Sequence, residues 1–153
     1  MTAPGSIGAG PDSLASLLQP CSASLDERGF GLHDLFPFPE EQGQADWSIL
    51  PPGAVDAFSR HTKAWVHRVC LSGNAKIVLV REEGWKTEIQ TFFSGERHPA
   101  LVSVPPGVWH GCSPICNQPC GLLRWCTRKV AAAGEERAPW DTFGKELWEA
   151  QLK

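Results

Sequence analysis

Ala100-Leu101-Val102-Ser103-Val104-Pro105-Pro106-Gly107-Val108-Trp109-His110-Gly111-Cys112 is the stretch on which the reading of the fold turns. Ala100 to Val104 is short, apolar and β-branched, as a strand is. Pro105-Pro106-Gly107 ends it sharply, because proline fixes φ and glycine permits a positive φ at the next position. Trp109 to Cys112 then starts a second strand directly from the turn. A strand that begins on a rigid turn holds its first side chains at set angles, which suits His110 to a ligand-facing role.

Working outward, the same pattern repeats. Val66 to Leu71 reads as a strand, Ser72-Gly73-Asn74 as turn chemistry and Ala75 to Arg81 as a second strand, together predicting a hairpin. Thr87 to Phe93 follows the Glu83-Gly84 turn, Gly121 to Arg128 is a later strand, and Ala54 to Thr62 is an earlier one ending near His61. Strand signals begin near Trp47, whereas Phe30 to Pro39 is predicted as an irregular aromatic segment with few regular bonds. Short strands about ten residues apart with turn residues between them predict a sandwich or barrel. At the ends, residues 1–11 read as a disordered tail and residues 12–153 as one domain. Asp12 is a candidate N-cap for a short helical segment, Ser13 to Gln19, and Lys145 to Leu152 carries Leu147, Trp148 and Leu152 at helical spacing. The expected fold is all-β with short N- and C-terminal helical segments.

Composition agrees with many short elements. The chain has 153 residues, 15 glycines and 13 prolines, with 42% hydrophobic and 20% charged residues. A domain of this size buries roughly two-thirds of its unfolded surface, enough for a core without staples. The formal charge of −3 gives no pull toward nucleic acid or an anionic membrane surface. With no signal-peptide pattern and no apolar run near ~20 residues, the expectation is a cytoplasmic protein without nucleic-acid or membrane partners. Cys112, Cys116, Cys120 and Cys126 lack the paired spacing of a zinc knuckle and read as reduced thiols packed as small hydrophobes.

Five histidines are present. Either His61 or His110, taken alone, would be a hydrogen-bonded packing residue; His33 and His98 lie in loop-like sequence and are expected in solvent. The pairs Glu40-Glu41, Glu82-Glu83 and Glu135-Glu136 read as solvated turns, since adjacent strand residues point apart. Most of the seven tryptophans read as packing, with Trp109 and Trp125 as candidate cleft residues.

The segment Val104-Pro-Pro-Gly-Val-Trp-His110-Gly resembles the I-P-x-G-x-x-H-G segment of the dTDP-4-dehydrorhamnose 3,5-epimerase family and its atypical relatives, which are cupins. Arg60-His61, then Gly73 and Lys76-Ile-Val-Leu-Val, resemble that family's active-site His, hairpin Gly and following strand. Glu136-Arg137-Ala-Pro-Trp140-Asp141 resembles its E-x-R-x-P-W-D tail. The resemblance spans roughly Ala54 to Phe143. It implies a cupin-type jelly-roll β-barrel, a homodimer, and a small-molecule substrate, a nucleotide-linked sugar, turned over by epimerase- or isomerase-type proton transfer without a cofactor. His61 would be the catalytic base and His110 a substrate-binding residue, with Arg60, Lys63 and Arg124 as electrostatic or diphosphate contacts and Trp109 and Trp125 in the cleft. The family's acid is a tyrosine, and this chain contains none; Arg124 or Trp125 stands where one would fall. The Asp that orients the base has no clear counterpart. Two alternatives remain open from sequence: a metal-dependent cupin oxygenase or lyase with His61, His67 and His110 as ligands, and a non-catalytic sugar-binding cupin.

Overall fold

A computed structural model describes residues 14–149. The tail expected at residues 1–11, the Asp12 cap and Leu152 lie outside the described residues. Eleven strands follow in order: β1 Ser22–Asp26, β2 Gly29–His33, β3 Gln44–Leu50, β4 Asp56–His61, β5 Val66–Ser72, β6 Asn74–Glu83, β7 Lys86–Gly95, β8 Leu101–Val104, β9 Trp109–Pro114, β10 Cys120–Cys126 and β11 Glu135–Arg137. They form two antiparallel sheets, ordered β1-β2-β3-β10-β5-β8 and β11-β4-β9-β6-β7. The chain alternates between the sheets as a jelly roll does.

Period-two alternation directs one face of each strand inward. On β5, Val66, Arg68 and Cys70 are buried while His67, Val69 and Leu71 are less so. Leu50, Val66, Ile77, Val104 and Leu122 meet between the sheets as the main core. A second cluster lies on the outer face of the five-stranded sheet, where Phe143, Leu147 and Trp148 cover Phe58, Val78, Val80 and Trp109. Among the described residues the outer face of the six-stranded sheet has no such cover: Leu25, Trp65, Leu71, Leu101 and Trp125 are all exposed.

Three expectations are corrected. β5 and β6 do not form a hairpin: β5 pairs with β10 and β8, and β6 with β7 and β9. The turn between them passes the chain from one sheet to the other. Gly73 there has φ 67°, and a Cβ at this position would lie 2.2 Å from the Pro119 carbonyl oxygen. The hairpin is instead β6–β7, closed by Gly84-Trp85 between paired Glu83 and Lys86. Second, part of the segment expected to be irregular is strand β2, paired to β1 and β3. Third, the terminal helical segments are single 3-10 turns, Leu14–Leu17 and Lys145–Trp148.

Candidate active site

Between the sheets opens a polar cleft. Its wall carries four arginines, Arg28, Arg68, Arg124 and Arg137, against three aspartates, Asp26, Asp46 and Asp56. His33 and Cys112 also line it. The charges are arranged in pairs. Arg28 bonds Asp26 at 3.0 Å and Asp56 at 3.4 Å. Arg124 grips the Oδ2 of Asp46, its Nε at 3.0 Å, while Gln44 and the Asp34 N–H donate to Oδ1. Burial of Asp46 opposes its ionisation, but Arg124 and these donors outweigh it and hold the carboxyl below its ordinary range. Arg68 donates to the Cys112 sulfur at 2.9 Å. Burial pushes that thiol up to about 11, so it stays protonated at neutral pH.

Behind this wall, on the five-stranded sheet, lies a buried histidine pair. The register of β11 sets Glu135 opposite His61, and the carboxylate meets His61 Nε2 at 3.1 Å. The other Glu135 oxygen accepts from Arg137 Nε at 3.2 Å. The His61 hydrogen bond, together with Arg137 and against the effect of burial, holds the Glu135 carboxyl at about 2. An ionised carboxylate can only accept, so His61 Nε2 donates to it. His61 Nδ1 is 3.3 Å from His110 Nε2, and the rings stack at 5.4 Å. Complete burial, reinforced by Arg68 and His61, drives the His110 pKa well below its usual value. His110 is therefore neutral, and its Nδ1 has no partner among the described residues. The pair reaches the cleft through Arg137, and through Cys112, which follows His110 by two residues on the same strand face.

Of the residues singled out in the sequence, His61, His110 and Arg124 face inward. Arg60 and Trp109 do not: the Arg60 guanidinium lies 4.3 Å over the Trp109 ring, on the outer face of the five-stranded sheet. There Arg60 pairs with Glu136 at 3.1 Å and Trp109 Nε1 donates to Glu82 at 2.9 Å. Trp125 is also outside, on the other sheet, its ring 5.3 Å from His67 and its Nε1 donating to the Gln42 carbonyl. Lys63 is exposed in the turn after β4. The placement of Arg60, Trp109 and Trp125 has one cause, since neighbouring residues on a strand point to opposite faces.

The three-histidine metal set does not assemble. His67 packs between Trp65 and Trp125 on the outer face and bonds Ser103 at 2.8 Å. Among the described residues no three His, Cys, Asp or Glu side chains converge as a metal site.

The residue that sequence reading missed is Glu135. The Glu135-Glu136 pair is not a solvated turn: alternation along β11 sends Glu135 to His61 and Glu136 to Arg60. The pairing of β11 with β4 that decides this was not visible in the sequence. Arg28, Arg68, Asp46 and Asp56 were likewise not singled out, and His33, expected in solvent, lines the cleft.

No family model matches the chain. Among solved structures, the dTDP sugar isomerase from Desulfovibrio desulfuricans G20 superposes with a TM-score of 0.61 at 22% identity, over 80% of this chain and 83% of that one. The capsular polysaccharide assembling protein CapF from Staphylococcus aureus gives a TM-score of 0.69 at 18% identity, over 80% of this chain. The match spans 34% of CapF, about a third of its length. The spore coat polysaccharide biosynthesis protein SpsL of Bacillus subtilis (strain 168) is 33% identical over 124 residues, 76% of this chain and 82% of SpsL. The jelly roll and this identity together make the chain a member of the SpsL family, built on the cupin-like fold of the dTDP-sugar epimerases.

Proposed function

We propose that the protein is a nucleotide-sugar epimerase or isomerase that removes a proton alpha to a sugar ketone, with His61 as base. The observation that carries this reading is the hydrogen-bonded chain from Glu135 to the buried pair His61 and His110, set behind an arginine-lined cleft. Glu135 keeps the proton on Nε2, so Nδ1 takes the substrate proton, exchanging its 3.3 Å contact with His110 for the sugar. The imidazolium that forms is stabilised by the Glu135 carboxylate. Arg28 and Arg68 supply the positive charge that a diphosphate needs, and an arginine beside the ketone oxygen stabilises the developing enolate. The names of two relatives, a spore coat polysaccharide biosynthesis protein and a dTDP sugar isomerase, support the substrate class.

The reading is tested by incubating the protein with dTDP-linked 4-keto-sugars and following the sugar by NMR. A changed configuration or a shifted carbonyl is expected. Saturable binding with an unchanged sugar would overturn it in favour of a sugar-binding cupin. No helix among the described residues is long and apolar enough to cross a membrane, and chemistry on a nucleotide-linked sugar supports a cytoplasmic location. The apolar outer face of the six-stranded sheet, uncovered among the described residues, supports a homodimer.

A further inference from the structure

Inverting a carbon requires a proton to leave one face of the sugar and another to arrive on the opposite face, so an epimerase needs two proton carriers on facing walls. The His61 relay belongs to the five-stranded sheet, directly behind the part of its wall that Cys112 and Arg137 line. The six-stranded wall must therefore supply the second carrier, and the chain has no tyrosine to offer.

The groups lining the cleft narrow the choice. Arginines stay charged throughout the working range and cannot serve. Asp26 and Asp56 are held by Arg28, and Asp46 by Arg124, Gln44 and the Asp34 N–H. Each is engaged by an arginine. Cys112 is on the five-stranded side, under Arg68. What remains is His33 on β2, the one histidine that lines the cleft among the described residues.

His33 has a built seat. Its Nε2 is 2.6 Å from Ser24 Oγ on the paired strand β1. The ring lies over Gly31, where even a Cβ would come within 3.1 Å of the imidazole, so the missing side chain makes the room. Nδ1 is 4.0 Å from Asp46 Oδ1. The other charged groups sharing this part of the cleft are Asp26 and Arg28 from the β1–β2 turn and Arg124 from β10. His33 is 44% exposed where His61 is 1% exposed, so it can be recharged from water between turnovers.

We propose that His33 is a second catalytic residue, the general acid that delivers a proton to the sugar carbon on the face opposite His61. The proposal rests on the epimerase reading above. The carbon–hydrogen bond breaks, its proton goes to His61 Nδ1, and its electron pair enters the ketone as an enolate. The enolate carbon then takes the proton of His33 Nε2, for which Ser24 is the resting acceptor. Afterwards His61 returns its proton to water and His33 regains one, so nothing is consumed.

The test compares wild type with His33→Asn, His33→Gln and His61→Asn on a dTDP-linked 4-keto-sugar in deuterium oxide, reading deuterium uptake and inverted product separately by NMR. In both His33 variants, uptake at the abstracted position is expected to continue at a rate comparable to wild type while inverted product falls by about 100-fold or more. His61→Asn should lose both. Inversion at the wild-type rate in either His33 variant overturns the assignment, and so does an equal loss of uptake and inversion, which would make His33 only part of the cleft's frame. A wild type that takes up no deuterium overturns the epimerase reading and the role of His33 with it.

Discussion

Glu135 accepts from both His61 and Arg137, and its carboxyl is held at about 2 against an ordinary 4.5. A depressed carboxyl contributes stability that is fully present above pH 4.5 and is lost as pH falls toward 2. Glu135→Gln should therefore lower stability at pH 7 by about 1–3 kcal/mol and flatten the urea midpoint across that acid window. His110 acts at higher pH. Its folded pKa lies well below 6.5, so once pH drops below that value the unfolded chain binds a proton the folded chain refuses. Stability should fall between pH 7 and 5, and His110→Gln should reduce that slope, a difference read from urea midpoints at the two pH values. Both histidines stood out in sequence because they end or begin strands beside turns. Glu135 did not, because its meaning comes from pairing with a strand 74 positions away.

Strands were legible as elements and illegible in their phase. Period-two alternation marks where β5, β9 and β10 run. It does not say which face meets the cleft when both are apolar. β9 illustrates this: Trp109 and His110 are equally suggestive in sequence, and the structure sends one to each face. β2 escaped notice because Gly29-Phe-Gly-Leu-His33 carries two glycines, which read as loop, although its register against β1 and β3 is regular. The turn at Gly73 was visible, yet a turn residue does not reveal whether the chain stays in its sheet. Gly73→Ala would force a side chain into positive φ and against the Pro119 carbonyl. We expect it to lower stability by about 1–3 kcal/mol, measured by urea unfolding; an unchanged midpoint would mean the turn relaxes freely.

At the scale of the whole molecule, the two sheets differ in how their outer faces are covered. The five-stranded sheet is capped by Phe143, Leu147 and Trp148 of the same chain. Across the six-stranded sheet, the outward positions, among them Leu25, Trp47, Leu71, Leu101, Leu123 and Trp125, include no Asp, Glu, Lys or Arg. A face without charge can meet its own copy without like-charge repulsion, and an outer sheet face this apolar resembles half of an obligate interface. Light scattering should find two copies of the chain, and Leu101→Glu combined with Leu71→Glu should shift it to one; a monomeric wild type would contradict this. The composition pointed to the β class and the family resemblance around the Pro-Pro-Gly turn implied the jelly roll, whereas the apolar outer face became visible only once strand phase was known.

The most direct test of the central claim is solvent deuterium exchange into a dTDP-linked 4-keto-sugar, comparing wild type with a folded His61→Asn variant. Deuterium appearing beside the ketone with wild type, and reduced by at least about 100-fold in the variant, is the predicted result. Exchange at the wild-type rate in His61→Asn would contradict the account.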